Sequence, residues 1–134
     1  PEGEGRFICG ISPPDANDPD DLPLEVDHAV FDDVLWPALA ARVPAFEAIR
    51  PAGAWAGYYE TNTFDHNGIV GPHPAIGNLL FANGFSGHGL QQSPAVGRGV
   101  AEWIVHGGWR TLDLSPLAFD RIARGAPVVE LNVV

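Results

Sequence analysis

The chain has 134 residues, of which 46% are hydrophobic and 18% charged, with a formal net charge of -10 at pH 7. This length supports the core of one ordinary domain. The only basic residues besides histidine are Arg6, Arg42, Arg50, Arg98, Arg110, Arg121 and Arg124, lysine being absent, so the charge excludes a polyanion such as nucleic acid as the natural partner.

The lone Cys9 excludes an intramolecular disulfide and fits a reducing compartment. No run approaches the roughly 20 apolar residues of a membrane span, and no signal-peptide pattern opens the chain, so a cytoplasmic protein is expected. A chain that starts at Pro1 and lacks methionine points to a processed product or a fragment.

In chain order, "GRFICGIS" predicts a short strand, and "PPDANDPDDLPLEVD" an acidic, proline-rich loop. Phe31, Val34, Leu35, Ala38 and Leu39 recur at helical spacing, with Asp27 as N-cap and Asp32 and Asp33 complementing the helix dipole. Pro37 lacks an N–H, so a kink is expected there, or two short helices with Pro37 opening the second. "AWAGYYET" is rich in strand formers, and Asn67-Gly68 signals a turn into "GIVG", giving strand, turn, strand. Leu79 to Ala82 predicts a buried strand entering a glycine loop. Ser93 as N-cap and Pro94 at the first helical position predict a helix from Pro94 to His106, with Val96, Val100, Trp103 and Ile104 on one face and Gly107-Gly108 closing it. Ser115-Pro116 opens a last small helix that Gly125 ends. The fold class expected is α+β.

The segment "GFSGHGLQQSPAVGRGVAEWIVHGG", residues 84 to 108, is therefore strand end, glycine loop and helix. A hydrolase elbow, G-x-S-x-G, fails because His88 stands at the last glycine, and no histidine follows Asp113 or Asp120. A dinucleotide fingerprint fails because Gly87-x-Gly89-x-x-Gln92 lacks its third glycine. Two readings stay open: a tight turn without further role, or a set of loop and helix N–H groups that favours negative charge.

Together with "WAGYYETNTFDHNGIVGPHP", "VPAFE" and "DLSP", this segment resembles the C-terminal part of the FAD-dependent D-amino-acid oxidase and sarcosine oxidase family. The resemblance runs from about Arg6 to the end and is nearest to the FAD-dependent oxidoreductase domain-containing subgroup, related to a complex I assembly factor. It implies the C-terminal portion of a longer flavoenzyme whose missing N-terminal segment carries the G-x-G-x-x-G for the ADP half of FAD. Residues 1–78 would belong to the substrate-binding region, with its acidic loop and helix. Residues 79–134 would close the FAD-binding domain.

By the same resemblance Gly87, His88, Gly89, Leu90 and Gln91 line the flavin, where backbone N–H groups and a helix N-terminus stabilise charge developing on its pyrimidine side. Gly89 is expected to be glycine because of a positive-φ turn or a close backbone approach to the ring. Tyr58 and Gln91 are implied at the substrate pocket, and Trp55 and Tyr59 are aromatic neighbours that serve either there or in a core.

Two departures matter. Monomeric sarcosine oxidases carry a lysine at the position of Gln91, where it helps bind a carboxylate; a neutral amide gives no charge pairing. They also attach flavin through a cysteine near the position of Gly57, whereas here only Cys9 exists, which implies noncovalent FAD.

No metal is expected. Counting a calcium loop from Asp15 places Pro19 fifth and Val26 twelfth, and His66, His73, His88 and His106 lack a recognised zinc-ligand spacing. The function implied is oxidation of a C–N bond of an amine or N-alkyl amino acid. The alternative is a flavoprotein of the same fold that serves as an assembly or interaction factor with little turnover.

Overall fold

A computed structural model describes residues 1–18, 20–21, 23–58 and 60–131, with the side chain of Asp15 excepted. They divide into two compact units, Pro1–Tyr58 and Tyr59–Val134.

The first unit is built from local turns. Gly3, Glu4 and Gly5 all have positive φ (80°, 51° and 74°), which curls the chain so that Arg6 N–H reaches the Gly3 carbonyl at 2.9 Å. The expected strand over "GRFICGIS" is thus replaced by one isolated bridge between Gly3 and Arg6, because its peptide groups meet no partner strand among the described residues. After a 3-10 turn at Asp15–Asn17, Asp27 accepts a hydrogen bond from Ala29 N–H at 3.0 Å, as its capping role requires.

The following helical run has a π segment, Phe31–Leu35, and then helix α1, Trp36–Arg42, with Pro37 in its first turn. Trp36 N–H bonds to the Phe31 carbonyl, five residues back. This wider turn makes room for the ring of Pro37, which in a regular α-helix would press on the carbonyl four residues earlier. The expected change at Pro37 takes the form of a π-to-α switch just ahead of it within one continuous helical run, residues 29–42, and not of a gap between two helices. A 3-10 segment, Pro44–Ala48, follows; Phe46 meets Phe7 edge-on at 4.9 Å, and Trp36 Nε1–H donates to the Glu47 carbonyl at 3.3 Å.

The second unit carries the sheet. Strands β1, Ile69–Pro72, and β2, Leu80–Asn83, pair antiparallel with Ile69 opposite Asn83 and Pro72 opposite Leu80. β2 lies within one residue of the expected strand, but Leu80 and Phe81 are half-buried and Ala82 and Asn83 exposed, where a buried strand was expected. The other expected strand is absent: the described residues of "AWAGYYET" form no ladder, and Tyr59 lies outside the described residues. Aromatic and β-branched composition favours a strand only where a pairing edge is present. Asn67-Gly68 still turns the chain into β1, entered from a turn over residues 62–67.

Helix α2, Gly89–His106, begins five residues before the expected Pro94. The Leu90 carbonyl, deprived of a backbone donor by Pro94, accepts the Ser93 hydroxyl at 2.8 Å. Ser93 therefore compensates for the proline inside the helix and does not cap it. Gly107 adopts the left-handed C-cap (φ 68°), its N–H on the Trp103 carbonyl, as expected.

The face of α2 turned to the unit carries Val96 and Gly99, both buried, with Val100 and Trp103 half-buried; Ile104, expected with them, is 69% exposed. A Cβ at Gly99 would lie 2.2 Å from Leu114 Cδ1 and 3.5 Å from Trp109, and one at Gly71 (φ 112°) would lie 3.0 Å from the same indole. Two missing side chains thus make the slot that Trp109 occupies. The expected last helix occurs as two pieces, a 3-10 turn at Ser115–Leu117 and α3, Asp120–Ala123, before Gly125 at φ 61°. Helices with a two-stranded antiparallel sheet bear out the α+β class.

Candidate functional site: the loop between β2 and α2

β2 ends at Asn83, and the chain then passes through three left-handed residues, Gly84 (φ 72°), Ser86 (φ 48°) and Gly87 (φ 87°). His88 N–H closes the turn on the Phe85 carbonyl at 2.9 Å, and α2 starts at the next residue. Gly89 itself is not left-handed, and a Cβ there would meet Phe85 at an ordinary 3.6 Å. The positive-φ requirement anticipated at Gly89 falls on Gly87 instead, where the chain reverses.

The start of α2 has no side-chain cap and no acid in its first turn. Gln92 N–H is paired with the His88 carbonyl at 3.2 Å, but among the described residues nothing accepts from the N–H groups of Gly89, Leu90 and Gln91. Gly87, Leu90 and Gln91 are exposed, with His88 and Gly89 half-buried. Donors gathered at the positive end of an 18-residue helix suit an electron-rich carbonyl or an anion. The helix start, and with it these donors, lies at Gly89 and not at the Ser93-Pro94 start anticipated from sequence.

Ser86 has a different role from that of a nucleophile. It is fully buried, and its Oγ accepts Asn62 N–H at 3.0 Å. His88 Nδ1 lies 3.3 Å from the Ser86 carbonyl oxygen, not from Oγ. A serine–histidine relay needs the imidazole at the hydroxyl, so the geometry gives no nucleophile here.

Beneath the loop is a polar cluster that sequence reasoning missed. Asp65 (1% exposed) and Arg121 (3% exposed) form a two-pronged ion pair, Nε to Oδ2 at 2.6 Å and Nη2 to Oδ1 at 3.0 Å. The remaining guanidinium donors reach the carbonyls of Leu117, Ala118, Asn67 and Gly68. Asp65 also accepts from Asn62 Nδ2 at 2.9 Å and from the N–H groups of Asn67 and Val128. Burial alone would raise the Asp65 carboxyl, but Arg121 and the Val128 and Asn67 N–H groups outweigh it and hold the carboxyl below its ordinary value. No local pattern signals a pair 56 residues apart; the nearest hint was an acid next to an Asn-Gly turn.

A second carboxylate fastens the far end of α2. Glu102 accepts from the Thr111 hydroxyl, from the N–H groups of Arg110 and Thr111, and from Arg98, and these bonds lower its pKa to about 2. A cleft of about 220 Å³ lies near that end, lined by Pro72, Trp103, Trp109, Phe119 and Arg124 among others, and takes no residue from the Gly87–Gln91 loop. Of the substrate-pocket candidates, Gln91 sits in the first turn of α2, and Tyr58 is 66% exposed in the first unit. Trp55 is also exposed. No helix among the described residues is long and apolar enough to cross a membrane.

The family model described as FAD dependent oxidoreductase, DAO, matches residues 1–103. The chain is 55% identical over 130 residues to FAD-dependent oxidoreductase domain-containing protein 1 of Xenopus laevis, covering 97% of this chain and 26% of the relative. Against the protein of the same name from Bos taurus it is 52% identical over 130 residues, covering 96% of this chain and 27% of the relative. A more distant relative, at 31% identity over 114 residues, is the 4-methylaminobutanoate oxidase (formaldehyde-forming) of Paenarthrobacter nicotinovorans, with 77% of this chain and 13% of the relative covered. No solved structure matches. The chain thus spans about a quarter of the length of the first two relatives. The match of this model to most of the chain, residues 1–103, together with these relatives, places the chain in the FAD-dependent oxidoreductase (DAO) family.

Proposed function

We propose that this chain is the C-terminal portion of an FAD-dependent oxidoreductase that oxidises a C–N bond of an amine or N-alkyl amino acid. The observation that carries this reading is the set of N–H groups on Gly89, Leu90 and Gln91 at the start of α2, which find no acceptor among the described residues. FAD, when bound, supplies the acceptor for the hydride leaving the carbon next to nitrogen. The chain's own contribution is electrostatic: fixed N–H donors and the helix N-terminus sit where negative charge would grow, and they need no reorganisation to stabilise it.

Gly87 turns the backbone so that these donors gather on one side. Gly87, His88, Gly89, Leu90 and Gln91 form the flavin wall in this reading, within a FAD-binding part spanning 79–134, with residues 1–78 in the substrate-binding region. Gln91, at the same helix start, serves the substrate pocket. Gln91 carries a neutral amide, and the chain has no lysine, so the substrate is recognised by hydrogen bonding and not by a lysine–carboxylate pair at this position. The relative named for formaldehyde formation from a methylamino acid supports C–N chemistry as the reaction class. FAD is held noncovalently, and the 134-residue chain by itself neither holds it tightly nor turns over substrate.

The test uses the full-length protein loaded with FAD. Anaerobic addition of secondary amines and N-methyl amino acids should bleach the oxidised flavin, and acid precipitation should leave FAD in the supernatant. A protein that keeps its flavin but is reduced by none of these amines would favour the assembly or interaction role. Absence of FAD from the purified protein would sink both flavin readings.

A further inference from the structure

We propose that Asp65, Arg121 and Asn62 are positioning residues that hold the loop from Gly84 to Gln91 in its working shape, an inference that takes its functional meaning from the flavin-facing reading above. Ser86 is a non-glycine residue in the left-handed region (φ 48°) and is wholly buried. Such a conformation persists only when the surroundings over-determine it. The surroundings are specific. Ser86 Oγ accepts Asn62 N–H at 3.0 Å, and the Cβ position of Gly84 (φ 72°) lies 3.3 Å from Asn62 Cβ, so Asn62 packs directly on the strained turn. Glu60 Oε1 accepts Phe85 N–H at 3.2 Å, adding a second hold from the same segment.

Asn62 is itself immobilised through all of its side-chain polar atoms. Its Nδ2 donates to Asp65 Oδ1 at 2.9 Å and to the Asn67 carbonyl at 2.7 Å, while its Oδ1 accepts Phe64 N–H at 3.0 Å. Asp65 is fixed in turn by the two-pronged bond to Arg121, which is anchored on the Leu117 and Ala118 carbonyls. A continuous hydrogen-bonded path therefore runs from the segment before α3, through Arg121, Asp65 and Asn62, to the residue that precedes Gly87. Every link is buried or partly buried, where such bonds are strong and their loss is costly. None of the three residues belongs to the candidate flavin wall. Their effect reaches it only through Ser86 and the direction in which the Gly89, Leu90 and Gln91 donors point.

The experiment compares Asn62→Ala, Ser86→Ala and Arg121→Lys with Glu102→Gln, a change at the far end of α2, all in the full-length FAD-loaded protein. Three quantities are measured: amide hydrogen exchange of residues 84–92, exchange of residues 31–42, and the flavin midpoint potential. Asn62→Ala and Ser86→Ala should speed exchange at the hydrogen-bonded amides of 84–92, those of Phe85, His88 and Gln92, by about tenfold or more, leave 31–42 unchanged and shift the potential, while Glu102→Gln does none of these. Arg121→Lys loses the two-pronged geometry and should behave alike or fail to fold, and the other two variants decide the matter in either case. Unchanged exchange at 84–92 in both Asn62→Ala and Ser86→Ala overturns the proposal. Faster exchange with an unmoved potential upholds the anchoring, and then the flavin-facing reading is what falls.

Discussion

The two units use opposite means of holding shape. In Pro1–Tyr58 no described residue is buried, and apolar side chains such as Phe7, Ile8 and Ile11 stand more than half exposed; order there comes from turns, a cap and a helical run that widens into a π segment ahead of its proline. In Tyr59–Val134 the described buried side chains are Val70 and Val96 on the apolar side, with Asp65, Ser86 and Arg121 on the polar side. The second unit is therefore organised as much by a satisfied buried hydrogen-bond network as by apolar contact. Such a network fixes one arrangement sharply, because each broken link strands a polar group that water no longer reaches. A loop whose N–H groups must point in one direction benefits from that kind of support more than from apolar packing, which tolerates small shifts.

This contrast breaks most visibly at Arg121. Arg121→Met leaves Asp65 buried without its counter-charge, and protection from hydrogen exchange across the second unit should fall by about 3–5 kcal/mol, with residues 31–42 unaffected. A loss below about 1 kcal/mol would mean that the network is incidental to the unit's stability.

Acid should dissolve the same network selectively. Because the Asp65 carboxyl is depressed in the folded protein, its stabilisation is complete above the ordinary carboxylate value and disappears as pH falls through the depressed one. Denaturant midpoints of Asp65→Asn should vary less with pH in that acid range than those of the wild type, and parallel curves would contradict the assignment.

Next in size is the slot for Trp109. Gly99→Val drives a side chain into Leu114 and should cost about 1–3 kcal/mol by overpacking, read as a lowered Tm and altered tryptophan emission. An unchanged Tm would show that Leu114 and the indole can move aside.

The smallest effect is expected in the first unit. Phe46→Ala removes one edge-on ring contact with Phe7 from a half-buried setting, and the loss of protection there should stay within about 0.5–1.5 kcal/mol. A larger loss would mean that this unit has a core that its exposed surface conceals.

Much of the local structure followed from residues a few positions apart. Asp27 bonds to Ala29, Pro37 falls in the first turn of α1 behind a π segment, and Gly107 and Gly125 take left-handed φ after helices, because caps and proline act through backbone groups within one turn. The strand at Leu80–Asn83 and the glycine turn before α2 were legible for the same reason, and the linked motifs across the chain carried the family.

What depended on distant partners was not legible. "AWAGYYET" has the composition of a strand, yet its described residues meet no pairing edge; Pro94 looked like a helix start, yet the Ser93 hydroxyl lets the helix run through it from Gly89. Above all, nothing near Asp65 in the sequence points to Arg121. That ion pair forms only when folding brings residues 56 apart together in a site that excludes water, and through Asn62 it reaches the strained Ser86. The sequence alone determined the turns, the helix ends and the family, because these rest on short-range sterics and linked motifs; the tertiary structure decided what holds the loop and where its donors begin, because those rest on buried charge and hydrogen bonds between distant segments.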